Sequence, residues 1–247
     1  MNKTNACAYD LNLVASMTTS ETPIALPKPS RIPRVKICCI SSVQEAQEAI
    51  SFGASALGLV AKMPSGPGPI PDDLIREIVA AIPPPIASFL LTSRTGSKAI
   101  IEHQRAVNSN VIQIVDALED GIYEDFRVEI PSVKIVQVIH VIDESTIDEA
   151  LAIAEKVDAL LLDSGNPNLS VKELGGTGRV HNWDVSRKIV EQSRVPVFLA
   201  GGLNATNVRA AIDRVQPYGL DLCSGVRTNG SLDLFKLETF FNEVNKI

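Results

Sequence analysis

Val157-Asp158-Ala159-Leu160-Leu161-Leu162-Asp163-Ser164 is the stretch on which the reading of this chain turns. From Ala159 to Leu162 it is apolar without alternation, and it ends in a carboxylate and a hydroxyl. A strand apolar on both faces is covered on both sides, as in parallel sheets flanked by helices. Gly175-Gly176-Thr177-Gly178 follows it. Val195-Pro196-Val197-Phe198-Leu199-Ala200-Gly201-Gly202 and Gly219-Leu220-Asp221-Leu222-Cys223-Ser224-Gly225 repeat the theme. Each run opens into small and polar residues at its C-terminal end. Strand–glycine–helix units of this kind aim backbone amides at an anion at one end of a parallel sheet.

Working outward, the same alternation fills the chain. Arg34-Val35-Lys36-Ile37-Cys38 is a short strand. Ser41, with Gln44 three residues on, reads as a helix cap, and Val43, Ala46, Ala49 and Ile50 follow at helical spacing. Ala56–Val60 is the second strand. Residues 64–71 are a Pro/Gly-rich loop, with Pro71 suited to a first helical turn before Leu74, Ile75, Ile78 and Val79. Pro85–Leu91 is the third strand, with a helix over Gly96–Val107. Val111–Val115 is the fourth, with a helix over Leu118–Ile130. Val133–Val141 is the fifth, with a stripe at Ile147, Ala150, Leu151 and Ala154. The sixth strand ends at Asp163 and its helix runs from Trp183 to Val190. The seventh ends at Ala200, before Val208, Ala211, Ile212 and Val215. The eighth ends near Cys223, before Leu234, Leu237, Phe240, Phe241 and Val244. Eight strand–helix pairs in roughly 215 residues favour a closed (β/α)8 TIM barrel over residues 34–247, rather than an open doubly wound sheet. Residues 1–33 carry Thr, Ser and Pro without a long periodic run. They read as an N-terminal extension, either loosely attached or serving as a cap or subunit contact.

Composition excludes some functions. A net charge of -6, a pI near 5.2 and only 4% aromatic residues argue against a nucleic-acid surface. No apolar run approaches transmembrane length, so no membrane partner is expected. Cys7, Cys38, Cys39 and Cys223 lack metal-finger spacing, and the N-terminus lacks a signal-peptide core. A cytoplasmic, reducing compartment with free thiols is expected. His103, His140 and His181 are scattered and show no metal spacing.

Several motifs are specific when taken in order. Lys36-Ile37-Cys38, Leu162-Asp163-Ser164, Gly175-Gly176-Thr177-Gly178 with Trp183, Leu199-Ala200-Gly201-Gly202-Leu203 with Asn207-Val208, and Asp221 with Ser224-Gly225-Val226 resemble the phosphoribosylanthranilate isomerases. These are TIM barrels of tryptophan biosynthesis. The resemblance covers roughly Lys36 to the C-terminus. It implies a general base at Cys38 and a general acid at Asp163. It also implies an Amadori rearrangement of N-(5'-phosphoribosyl)anthranilate to 1-(o-carboxyphenylamino)-1-deoxyribulose 5-phosphate, with no cofactor. The partner is then a small phosphorylated sugar, handled by a monomer or homodimer.

The chain also departs from the family pattern. Cys39 stands where a glycine is usual. The second loop, Ser65-Gly66-Pro67-Gly68-Pro69, lacks the arginine that holds the anthranilate carboxylate. Val115 replaces the fourth-strand histidine. Arg227 replaces a glutamate, and Leu232 replaces a lysine. These changes keep two other readings open: an isomerase of a different phosphoribosyl or sugar-phosphate compound, and a non-catalytic relative that binds a phosphorylated ligand.

The residues themselves support this chemistry. A carboxyl group at a strand end protonates a ring oxygen when burial keeps it protonated, so Asp163 is either an acid or a cap. A thiol starts near pKa 8.5 and acts as a base only when something stabilises its thiolate. Lys36, two residues from Cys38, shares its face of the strand and supplies such a field. Cys39 is expected to point the other way, into the strand–helix layer, and Cys223 is expected in the core. Phosphate binding is assigned to backbone amides near Gly176, Gly178, Gly201, Gly202, Ser224 and Gly225. Asp221 orients an amine or hydroxyl, or forms a buried ion pair. Gln113 bonds the ligand or fills the interior. Arg227 and Arg94 are candidates for the missing carboxylate fork.

Overall fold

The computed structural model describes residues 32–166, 169, 172, 174, 178 and 180–246. Eight parallel strands close into a barrel: β1 (Arg34–Ile37), β2 (Ala56–Val60), β3 (Ala87–Thr92), β4 (Val111–Ile114), β5 (Lys134–His140), β6 (Ala159–Asp163), β7 (Val197–Leu199) and β8 (Gly219–Leu222). They pair in sequence order, and β8 closes on β1 with Lys36 beside Asp221 and Ile37 beside Leu222. The helices alternate with them: α1 (Val43–Ser51), α2 (Asp72–Ala81), α3 (Ser97–Val107), α4 (Tyr123–Glu129), α5 (Thr146–Ala154), α6 (Trp183–Gln192), α7 (Val208–Val215) and α8 (Leu234–Asn245). The expected (β/α)8 barrel is therefore the fold. The expected extension lies outside the described residues, apart from Ile32 and Pro33.

Strand periodicity builds two separate apolar layers. Val35 and Ile37, with Leu57, Leu59, Leu160 and Leu162, face the helices. Cys38, Ala56, Val60, Phe89, Leu161 and Phe198 belong to the second cluster, inside the barrel. Its floor is aromatic: the Phe89 and Phe198 rings meet edge-on at 6.0 Å. Gly219 leaves room there, because a Cβ on it would lie 2.5 Å from the Phe198 ring. Burying each large side chain in these layers contributes about 1.5–3 kcal/mol.

Element boundaries differ from the sequence reading in instructive ways. Ser42, not Ser41, caps α1, accepting the Glu45 amide at 3.0 Å. Glu45 reaches back to the Ser41 amide at 2.9 Å. Pro71 is itself the cap of α2 rather than its first helical residue. The fourth helix is shorter than Leu118–Ile130. Its first residues form a loop instead, tied by Glu119 and Asp120 amides to Thr95 O and by the Ser97 amide to Asp120 O. After β8 comes a single 3-10 turn, Ser224–Val226, and then a small hairpin of β9 (Arg227–Thr228) and β10 (Ser231–Leu232). Among the described residues, no helix is long and apolar enough to cross a membrane.

Candidate active site

The C-terminal ends of the strands open onto a cleft. Cys38 reaches it from the end of β1, where its amide bonds Leu222 O at 2.7 Å and extends the pairing with β8. Asp163 reaches it as the last residue of β6. The sequence-predicted base and acid thus share one opening. Gln113, Asp221 and Cys223 line the same space.

Lys36 lies one inward position below Cys38. It is fully buried, with its ammonium 2.8 Å from the Asp221 carboxylate and 5.3 Å from the Phe89 ring centroid. Asp221 is thus half of a buried ion pair. Gly58 makes room for both β1 side chains, because an added Cβ would sit 2.8 Å from Cys38 Sγ and 3.0 Å from Lys36 Nζ. A glycine inside an apolar strand is a sequence signal for such close approach. Burial alone would push Lys36 toward neutrality, yet the Asp221 carboxylate and its hydrogen bond hold the pKa above its usual value.

The candidate base and the candidate acid are displaced in opposite directions. The Cys38 thiol is held below its ordinary value, first by the neighbouring Cys39 side chain. Burial opposes this, and Lys36 assists it. The Asp163 carboxyl is pushed up, first by burial. The Ser164 amide, which donates to Asp163 Oδ1 at 2.7 Å, and the nearby His140 resist that rise. A thiol poised to ionise and a carboxyl poised to keep its proton make an acid–base pair across one space.

The glycine loops after β6, β7 and β8 lie along the barrel rim between Asp163 and Cys38. Gly178, Gly201, Gly202 and Ser224 line the cleft. Gly178, Gly201 and Gly202 have φ of +69°, +83° and +61°, which glycine adopts without strain. The Gly201 and Gly202 amides have no acceptor among the described residues. Gly225 sits behind this rim: a Cβ there would lie 2.0 Å from Leu203 O, so it seats the 3-10 turn against the β7 loop. Gly176 lies outside the described residues. Gln113 is 3% exposed, and its Oε1 has no partner. A buried acceptor unpaired among the described residues is uncommon and has capacity for one donor.

Four residues depart from their expected places. Cys39 does not face the helices. Its φ of +63° breaks the alternation of the strand and brings it into the interior cluster and the cleft. Cys223 is only partly buried and also lines the cleft. Arg227 turns away from the cleft: its guanidinium bonds Glu45 at 2.8 Å, Gly230 O at 2.7 Å and Cys39 O. Arg94 is spent on Ala99 O at 2.9 Å, on an exposed surface. Sequence reasoning missed two closures of the rim. Ser65 donates to Lys172 O at 2.6 Å, and Lys172 pairs with Asp116 at 2.6 Å. Both join residues far apart in the chain, which no local pattern signals.

Fold and cleft together define a class, the (β/α)8-barrel enzymes that move protons on a ligand held at the C-terminal mouth of the barrel. Within that class the chain belongs to the family described as "N-(5'phosphoribosyl)anthranilate (PRA) isomerase", which matches residues 35–243. An N-(5'-phosphoribosyl)anthranilate isomerase of Methanosarcina acetivorans is 34% identical over 231 residues, covering 88% of this chain and 95% of that protein. One from Nostoc punctiforme is 35% identical over 218 residues, covering 85% and 98%. The phosphoribosyl anthranilate isomerase structure from Thermotoga maritima superposes with a TM-score of 0.73 at 27% identity, covering 87% of this chain and all of that one. A phosphoribosyl anthranilate isomerase solved with reduced 1-(o-carboxyphenylamino)-1-deoxyribulose 5-phosphate superposes with a TM-score of 0.71 at 25% identity, with the same coverage.

Proposed function

We infer that this isomerase converts N-(5'-phosphoribosyl)anthranilate to 1-(o-carboxyphenylamino)-1-deoxyribulose 5-phosphate, with Asp163 as the acid and Cys38 as the base. The observation that carries the assignment of roles is the shared cleft, in which burial favours the protonated Asp163 carboxyl while neighbours favour the Cys38 thiolate. Asp163 gives its proton to the ribose ring oxygen, and the ring opens to a Schiff base. The Cys38 thiolate then takes the proton from C2'. The resulting enolamine tautomerises to the amino-ketose. No net oxidation occurs, because hydrogen only moves from C2' toward C1'. The amides near Gly178, Gly201, Gly202 and Ser224 hold the phosphate, and Gln113 Oε1 accepts from a substrate hydroxyl or amine. The Lys36–Asp221 pair fixes the field beneath the reacting carbon.

The described lining of the cleft holds no arginine, so the carboxylate end of the substrate meets Ser65, Gly66 and Pro67 instead of a guanidinium fork. The same reading expects a monomer or homodimer acting on a free small molecule, in a cytoplasmic compartment reducing enough to keep Cys38, Cys39 and Cys223 as thiols.

Turnover of freshly prepared N-(5'-phosphoribosyl)anthranilate is the test. Cys38→Ser and Asp163→Asn should each lower kcat by about 10²–10⁴-fold while leaving the fold intact. A well-folded wild-type protein with no turnover would overturn the substrate assignment. An active wild type whose rate survives both substitutions would overturn the assignment of roles.

A further inference from the structure

The turn that follows Cys38 is held by two other parts of the chain. Cys39 has a φ of +63°, in the left-handed region that side-chain-bearing residues rarely enter. The loop after β2 closes on its side chain: a Cβ on Gly68 would lie 2.6 Å from Cys39 Cβ, and Pro67 O receives the thiol at 3.6 Å. The Cys39 carbonyl takes a hydrogen bond from the Arg227 guanidinium.

Arg227 is itself fixed on several sides. Its Nη2 and Nη1 fork onto the Glu45 carboxylate at 2.8 and 3.2 Å, and Nη1 also donates to Gly230 O at 2.7 Å. The Arg227 and Glu45 side chains are only 7% and 12% exposed. The same carboxylate accepts the Ser41 amide and the Leu232 amide, both at 2.9 Å. One guanidinium–carboxylate unit thus joins the start of α1, the residue after Cys38 and the β9–β10 hairpin.

We propose that Arg227 is a positioning residue for the base: oriented by Glu45, its guanidinium holds the Cys39 carbonyl and so fixes where the end of β1 presents the Cys38 sulfur. The inference rests on Cys38 being the base. The Cys38 amide is anchored on Leu222 O at 2.7 Å, and the Ile40 amide on Gly58 O at 3.1 Å. Between these anchors the backbone leaves the sheet in a left-handed turn, and Arg227 supplies the donor to the carbonyl there. A planar guanidinium bonds a carboxylate and a carbonyl at once, whereas an ammonium is a single point charge. Placement of a reacting group matters steeply, since a 1 Å shift costs about 10²-fold in rate.

The test compares full-length Arg227→Met, Arg227→Lys and the double variant Arg227→Met with Glu45→Gln against wild type, by urea midpoint, kcat and KM. Arg227→Met strands the buried Glu45 carboxylate and should lower the urea midpoint. Where it is fully folded, its kcat should fall about 10–100-fold, with KM changed by less than about threefold. The double variant leaves no stranded charge, so its midpoint should return toward wild type while kcat stays low. Arg227→Lys keeps the charge and a donor, and should recover part of kcat. Adding Arg227→Met to Cys38→Ser should lower the residual rate by less than about threefold, because the group being positioned is already gone. A folded Arg227→Met with wild-type kcat overturns the proposal. So does a double variant whose kcat returns together with its stability, or a full loss from Arg227→Met in the Cys38→Ser background. Cys38→Ser alone reads the base assignment, so its failure is told apart from failure of this proposal.

Discussion

The Lys36 ammonium lies 2.8 Å from the Asp221 carboxylate, with Lys36 fully sealed and Asp221 8% exposed. The two residues are register partners on adjacent strands, so strand closure itself brings them together. A buried pair of this kind contributes little net stability over an apolar replacement, but breaking it strands a charge. Lys36→Met should therefore cost about 3–5 kcal/mol in urea unfolding. Lys36→Met with Asp221→Leu should recover most of that loss. A single variant as stable as wild type would mean that the pair is not charged on both sides.

The sheet order was legible because each strand is a continuous apolar run closed by small residues. Leu160, Leu161 and Leu162 are buried on both faces, as parallel strands under helices require. The glycines that line the cleft after the sixth and seventh strands were legible from their corresponding places in the chain. Cys39 was misread because the period-two rule was carried two residues past the end of β1, where a positive φ ends it. Arg227 was misread because its partner, Glu45, stands 182 residues away, in the first turn of α1. Local patterns specify elements, while such pairings exist only once the barrel has closed.

His181 gives the stability a pH dependence of known sign. Its Nε2 lies 2.7 Å from Ser186 Oγ, and burial pulls its pKa down to about 4. In the unfolded chain the value is about 6.5. Between those values the unfolded chain binds more protons, so stability is fully present above pH 6.5 and is lost as pH falls through 4. The loss amounts to at most about 3 kcal/mol. His181→Asn removes the titrating group. Urea midpoints measured across this range should fall more steeply for wild type than for the variant, and parallel curves would show that His181 is not buried neutral.

Gly225 tests whether the proposed phosphate site depends on contact between the β7 and β8 loops. An alanine Cβ there would lie 2.0 Å from Leu203 O, a backbone atom that cannot turn aside. The two loops must part, and Gly202 and Ser224 move with them. Gly225→Ala should raise KM for the phosphorylated substrate by tenfold or more, on the order of 1–3 kcal/mol of overpacking, and change kcat less. Gly96→Ala is the matched control, since its Cβ would make an ordinary 3.7 Å contact with Asp120 on the outer face. It should leave KM unchanged. An unchanged KM in Gly225→Ala as well would locate the phosphate away from the amides of these two loops.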